Sequence, residues 1–207
     1  MKKILTKDNS ITFYNEEAED YYHSKSGAKE EAFEKYAKAL DVKKKKSPVI
    51  FDICFGLGYN AAAALDVNKD ARIYCFENDK EILKEILEIE ADFKSYPLIK
   101  ECIKQFLENQ KTEYKNLIMV FGDAKETIKT IQEKADFVFF DPFSPARNQE
   151  MWTEKFFKEI YQKMNPEAKL STYSCARHVR DNFKKAGFKI TDGPIIGRTA
   201  PSTIAIK

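Results

Sequence analysis

The stretch Ile50-Phe51-Asp52-Ile53-Cys54-Phe55-Gly56-Leu57-Gly58-Tyr59-Asn60-Ala61 restricts this chain more than any other. An apolar run, Val49 to Ile53, follows a lysine-rich segment, turns through two glycines and enters an alanine-rich segment, Ala61 to Leu65. That order reads as a buried strand, a tight turn and the start of a helix. Such a turn lets backbone approach a ligand, and the helix N-terminus beyond it presents free N–H groups.

The rest of the chain repeats the alternation. Strands are expected at Val49–Ile53, Ala71–Phe76, Leu117–Phe121, Phe137–Phe140 and Lys169–Tyr173. The helices following them are expected at Tyr59–Leu65, Lys80–Glu90, Ala124–Gln132, Met151–Met164 and Ala176–Ala186. Phe188–Thr191 and Ser202–Ile206 read as a final strand pair, antiparallel because no helix joins them. This pattern predicts an α/β fold, a parallel sheet covered on both faces. The segment between Ala91 and Tyr114 is longer than a usual connection and carries an apolar helical pattern, so it reads as an inserted helix. Residues 1–46 read as an N-terminal extension packed on a core of 47–207. Its pieces are a hairpin around Asn15-Glu16-Glu17 and a helix from Ser26 to Leu40, capped by Ser26.

Composition removes several classes. The net charge of +2 gives no global basic field, so any nucleic-acid contact must come from a local patch. No apolar run is long enough to span a bilayer, and the N-terminus lacks a signal-peptide apolar region. The four cysteines are far apart, form no CxxC and read as free thiols of a reducing compartment, hence a cytoplasmic location. With two histidines in the chain, no metal site is expected.

Function is read at the strand ends, where open α/β sheets bind ligands. Asp52, Glu77, Asp123 and Asp141 stand at the ends of four successive strands. A carboxylate after the second strand can accept from ribose hydroxyls, one after the third from an adenine amine, and one near the glycine turn can meet an amino-acid ammonium. Gly56-Leu57-Gly58-Tyr59-Asn60-Ala61 also satisfies the dinucleotide pattern GxGxxG/A, with Glu77 at a suitable distance. Asp52 would repel a pyrophosphate but would help a zwitterionic amino acid, which favours S-adenosyl-L-methionine.

Together these residues resemble a class I S-adenosylmethionine-dependent methyltransferase from Val49 onward. The resemblance implies a Rossmann-like seven-stranded sheet with helices on both faces and the last strand antiparallel. Cys54 departs from it, standing where the acidic-x-G-x-G-x-G pattern has its first glycine. A narrower resemblance spans almost the whole chain. Tyr22-His23-Ser24 with Gly27–Ala32, Cys54–Asn60, Asp141-Pro142-Phe143-Ser144-Pro145 with Met151-Trp152-Thr153, Thr172-Tyr173-Ser174 with Val179-Arg180, and Gly187-Phe188 are similar to the methyltransferase domain of the MnmC-like family. That family usually has alanine or a similar residue where Pro142 stands.

The narrower resemblance implies N-methylation of 5-aminomethyl-uridine, often 2-thiolated, at the tRNA wobble position. Tyr22, His23, Ser24, Phe143, Trp152, Arg177 and Arg180 are then expected to meet tRNA substrate. Asp52, Phe55, Gly56, Gly58, Asn60, Glu77, Asn78, Asp123, Ala124 and Asp141 are expected to form the cofactor site, with Asp141 as the catalytic group. Lys25, Lys43 to Lys46, Arg147, Lys184 and Lys185 are further candidates for the RNA backbone. No FAD is expected, because the chain ends after the last strands without the fused oxidase domain of many relatives. Three alternatives remain: another amine or adenine N-methyltransferase of nucleic acid, an NAD(P)-binding oxidoreductase, and a catalytically silent cofactor-binding RNA-binding protein.

Overall fold

The computed structural model describes residues 1–207. Its N-terminal part holds β1 (Lys2–Leu5), β2 (Ile11–Asn15) and β3 (Asp20–Tyr21), an antiparallel sheet in that order. The expected hairpin is β2–β3; β1 adds an outer strand the sequence reading omitted. Next come α1 (Ala28–Glu31) and, continuing it, a wider π-helical segment, Ala32–Lys38. Ser26 does not cap this helix. The α1 N–H groups are satisfied from the β1–β2 turn instead: Ala28 donates to Ser10 Oγ (3.0 Å) and Glu30 to Asp8 Oδ2 (2.9 Å). Asp8 also accepts from Thr6 and Ser10, and these hydrogen bonds outweigh its partial burial and pull its pKa down to about 2.

The main body contains β4 (Val49–Ile53), α2 (Tyr59–Val67), β5 (Arg72–Glu77), α3 (Lys80–Glu88), α4 (Tyr96–Asn109), β6 (Glu113–Tyr114), β7 (Leu117–Phe121), α5 (Ala124–Thr130), β8 (Ala135–Phe140), α6 (Glu154–Gln162), β9 (Met164–Thr172), α7 (Arg177–Lys185), β10 (Lys189–Asp192) and β11 (Thr203–Ile206). The sheet order is β10-β11-β9-β8-β4-β5-β7-β6. The pairs among β9, β8, β4, β5 and β7 are parallel, and β11 is antiparallel to both of its neighbours. Seven of these strands make the expected Rossmann-like sheet. The eighth, β6, is a two-residue edge made where α4 ends in a left-handed Gln110 and the chain turns back along β7. The expected helix Met151–Met164 is divided. A 3₁₀ turn at Gln149–Trp152 precedes Thr153, whose hydroxyl caps α6. Met164 already belongs to β9, bulged against β8 between Ala135 and Phe137.

Strand alternation sorts the two cores. Ile50, Ile73, Cys75, Phe137 and Phe139 face the side covered by α1, α2, α3 and α4. Phe51, Ile53, Tyr74, Phe76, Val138 and Phe140 face α5, α6 and α7. The same period of two sends Asp52, Glu77 and Asp141 toward the first side. Phe13, Ala28, Ala32, Tyr36 and Leu40 share that core, so the N-terminal segment completes one wall of it.

Gly58 starts α2 with φ +74°, and a Cβ there would lie 2.7 Å from Phe55 Cζ and 2.9 Å from Ile99 Cγ2. Both neighbours are buried, so neither can retreat. Gly58→Ala is expected to destabilise the protein by about 2–3 kcal/mol, read as a lower urea midpoint at unchanged m-value. A midpoint equal to wild type would contradict this account of the turn.

Candidate active site

The cavity of about 910 Å³ opens at the carboxyl ends of β4, β5 and β8. Its floor is the glycine turn. Glu77, at the end of β5, accepts from Gly56 N–H (2.8 Å), Asn78 N–H (2.8 Å) and Asp79 N–H (2.9 Å). One carboxylate thus binds the turn after β4 to the turn after β5. Burial raises its pKa, and the three N–H donors offset that in part. A carboxylate has about four acceptor positions, so Glu77 keeps capacity for a ligand. Cys54 (φ +65°) and Gly56 (φ +55°) give the turn its left-handed bends. A Cβ on Gly56 would approach the Tyr22 ring at 3.3 Å, on the cavity side.

Asp141 lies where β8 ends, its side chain 7% exposed. Asn60, from the first turn of α2, donates to its Oδ2 (3.0 Å). Burial and the nearby charge of Glu31 hold the Asp141 pKa up to about 7. His23 Nδ1 is 3.6 Å from Asp141 Oδ2, and its ring stacks on Tyr59. Burial pushes the His23 pKa down to about 4, so the imidazole is neutral at pH 7, and neither ring nitrogen has a hydrogen-bond partner. Tyr36 brings a buried hydroxyl toward the same carboxyl.

The N-terminal hairpin roofs the cavity. Tyr22 donates its hydroxyl to Asp79 (2.5 Å), accepts from Asn15, and sets its ring edge against Phe143. Ser144 N–H donates to Asp20 Oδ2 (2.9 Å), and Arg147 pairs with Glu19. These contacts tie the β2–β3 hairpin to the loop after β8.

Among the expected site residues, Tyr22, His23, Ser24, Gly56, Glu77, Asn78, Asp141 and Phe143 line this cavity. The others stand elsewhere. Asp52 is fully buried below the turn, its oxygens without hydrogen-bond partners, and burial together with Asp141 raises its pKa well above the usual range. Phe55 packs in the core beneath Gly58, whose glycine is required by packing. Asn60 reaches the site through Asp141. Asp123 is exposed: it caps α5 through Lys125 N–H (2.9 Å) and pairs with Lys125 Nζ, while Ala124 is buried in the opposite core. Trp152 is a core residue whose indole N–H donates to the Phe143 carbonyl (2.9 Å), so it supports the Phe143 loop from behind and does not line the cavity. Arg180 braces the C-terminal strands through Thr203, Ser202 and Asp192. Arg177 is exposed on α7 beside Asp181.

Sequence reading missed Glu31, Asp79, Asp20 and Tyr173, all of which line the cavity. For Glu31 a signal existed. Ala28, Glu31, Ala32, Lys35 and Tyr36 fall on one helical stripe, so two charged residues interrupt an apolar face.

A family model described as S-adenosyl-L-methionine-dependent methyltransferase matches residues 84–207. An uncharacterized protein of Methanocaldococcus jannaschii is 35% identical over 99% of this chain and 59% of its own length. The tRNA 5-methylaminomethyl-2-thiouridine biosynthesis bifunctional protein MnmC of Campylobacter hominis is 28% identical over 90% of this chain, which spans 30% of that protein. The crystal structure of MNMC2 from Aquifex aeolicus superposes with a TM-score of 0.78 at 30% identity, covering 99% of this chain and 69% of the other.

The raised Asp141 pKa makes a stability prediction. Its value is 3.8 in the unfolded reference and about 7 in the fold. The stability linked to its proton is therefore complete below pH 3.8 and lost as pH rises through about 7. Above that, a buried carboxylate costs on the order of 2–4 kcal/mol. Asp141→Asn should melt above wild type at pH 8, with the difference shrinking toward pH 5. Thermal unfolding at both pH values checks it, and a pH-independent difference would refute the assignment.

Proposed function

Since the chain belongs to the S-adenosyl-L-methionine-dependent methyltransferase family, in its MnmC-like branch, we propose that it methylates the primary amine of 5-aminomethyl-(2-thio)uridine at the tRNA wobble position. The product would be 5-methylaminomethyl-(2-thio)uridine. The observation that carries this reading is Asp141, a cavity-wall carboxyl whose proton affinity lies near neutrality and which has no Lys or Arg partner. An alkyl amine is mostly an ammonium at pH 7 and has no lone pair with which to attack. A carboxyl poised near pH 7 can take its proton. Adenine's exocyclic amine is already neutral and has less need of such an acceptor.

The cofactor supplies an electrophilic methyl on a sulfonium sulfur, which leaves as a neutral thioether. The residues present fit it: Glu77 keeps free acceptor positions for ribose hydroxyls, and Gly56 and Asn78 line the same cavity. On the substrate side, Asn60 orients Asp141, and Tyr22 and Phe143 offer aromatic surface on which a base can stack. Tyr22 and the loop after β8 would exclude water around the nitrogen. Exposed Arg177, Lys184 and Lys185 on α7, with Lys25 at the cavity rim, supply local positive charge for RNA backbone, while Arg147 at the same rim is paired with Glu19. In the lysine run, Lys44 and Lys45 are already paired with Asp41 and Asp136.

Purified protein with labelled S-adenosyl-L-methionine and tRNA from cells lacking the final methyl should yield labelled 5-methylaminomethyl-uridine on nucleoside analysis. The kcat/KM should rise as pH passes through about 7, as Asp141 becomes able to accept a proton. Label on adenine, or cofactor binding without transfer, would overturn this reading. Separately, Glu77→Ala should weaken cofactor binding by about 10- to 100-fold in calorimetry; unchanged affinity would remove Glu77 from the cofactor site.

A further inference from the structure

A buried ion pair borders the amine site and is not used by the mechanism above. Lys35 Nζ donates to Glu31 Oε1, with side chains 4% and 7% exposed. Glu31 Oε2 accepts from Ser24 N–H (3.3 Å). The pair stands on α1 and the widened helix that continues it, and Ser171 of β9 donates its hydroxyl to the Lys35 carbonyl (2.5 Å). Widened helical turns of this kind are rare and gather at functional sites.

Two features give the pair a direction. Glu31 lines the cavity with Asp141, whereas Lys35 does not, so the carboxylate faces the ligand space and the ammonium stands behind it. A buried pair is also a weak source of stability, because desolvation cancels much of its attraction and apolar residues of similar volume do as well. Its retention on the wall of a cavity calls for a role there.

We propose that Glu31, fixed by Lys35, is a second carboxylate of the amine site, which binds the substrate ammonium and leaves the proton to Asp141. This rests on the amine-methylating reading given above. Two carboxylates in different surroundings divide two tasks. Glu31 keeps a permanent cation at its back and two acceptor positions free, so it can hold N–H groups throughout. Asp141 has no such cation and takes one proton from the ammonium. The freed nitrogen lone pair would then form the new N–C bond as the methyl–sulfur bond breaks, giving a secondary ammonium, and Asp141 returns its proton to water after product leaves. The charged and titratable groups facing Asp141 are Glu31, Lys35 and Tyr36 from the first helix, His23 from the hairpin end, Asp52 and Cys54 from β4 and its turn, and Tyr173 after β9. Within this group Glu31 raises the proton affinity of Asp141 and Lys35 lowers it.

The test compares wild type, Glu31→Gln and the neutral pair Glu31→Gln/Lys35→Met, the last keeping the core intact should an unpaired Lys35 unfold the single variant. Both variants should bind S-adenosyl-L-methionine within about twofold of wild type. Their kcat/KM for the aminomethyl tRNA should fall by about 10- to 100-fold, chiefly through KM. The pH at which kcat/KM rises should move to lower pH, further in Glu31→Gln than in the double variant. Carbon-13 titration of the Asp141 carboxyl in substrate-free protein should show the same order. A purely structural role predicts loss of folded protein with neither shift. Wild-type activity with kcat/KM or the pH limb unchanged in the variants overturns this inference alone. A wild type inactive on that tRNA overturns the functional reading beneath it.

Discussion

The site depends first on how the Glu77 carboxylate is held. Three backbone N–H groups from two different turns converge on it in a buried position. Each would be a costly orphan without it, and the carboxylate would be a costly charge without them. The arrangement fixes the glycine turn relative to the end of β5 and so sets the floor of the cavity. It also explains a chain with Cys54 in place of the first glycine. The turn is held by an acceptor at its centre, and Cys54 adopts the left-handed φ of +65° itself.

The carboxylates around that floor are unequal. Asp52, Asp141 and Glu77 share one side of the sheet because strand alternation sends them there, yet their surroundings differ. Glu77 accepts three backbone N–H groups and keeps acceptor capacity, Asp52 lies sealed without a hydrogen-bond partner, and Asp141 has one amide donor and a neutral imidazole beside it. Burial first, and like charges after it, raise the proton affinity of Asp52 and Asp141. The N-terminal segment is as necessary as the sheet. It contributes Tyr22, His23 and Glu31, and α1 is capped from the β1–β2 turn, so the roof and one wall of the cavity form together.

Several residues at expected ligand positions lie off the cavity lining and have partners in the scaffold. Asp123, Trp152 and Arg180 each have a carboxylate, indole or guanidinium that could meet a ligand, and each is engaged by a neighbouring element. Position in the sequence placed them near strand ends. It could not say whether the local backbone would claim their hydrogen bonds first. Glu31 shows the converse: its place on the apolar stripe turns it inward, and only contacts across the fold make that inward side the cavity wall.

The sequence by itself determined the strand–helix alternation of the core, the antiparallel final strand and the acidic strand ends, because hydrophobic periodicity and turn residues are local signals. It also marked Gly56, Glu77 and Asp141 as site residues through their places after strands. Tertiary structure decided which carboxylates face the cavity, that the first helix supplies part of its wall, and that burial and Glu31 push the Asp141 pKa up. Those properties arise from burial and from charges brought together across long sequence separations. Glu31 and Asp141 come to line one cavity only when the N-terminal segment packs on the sheet.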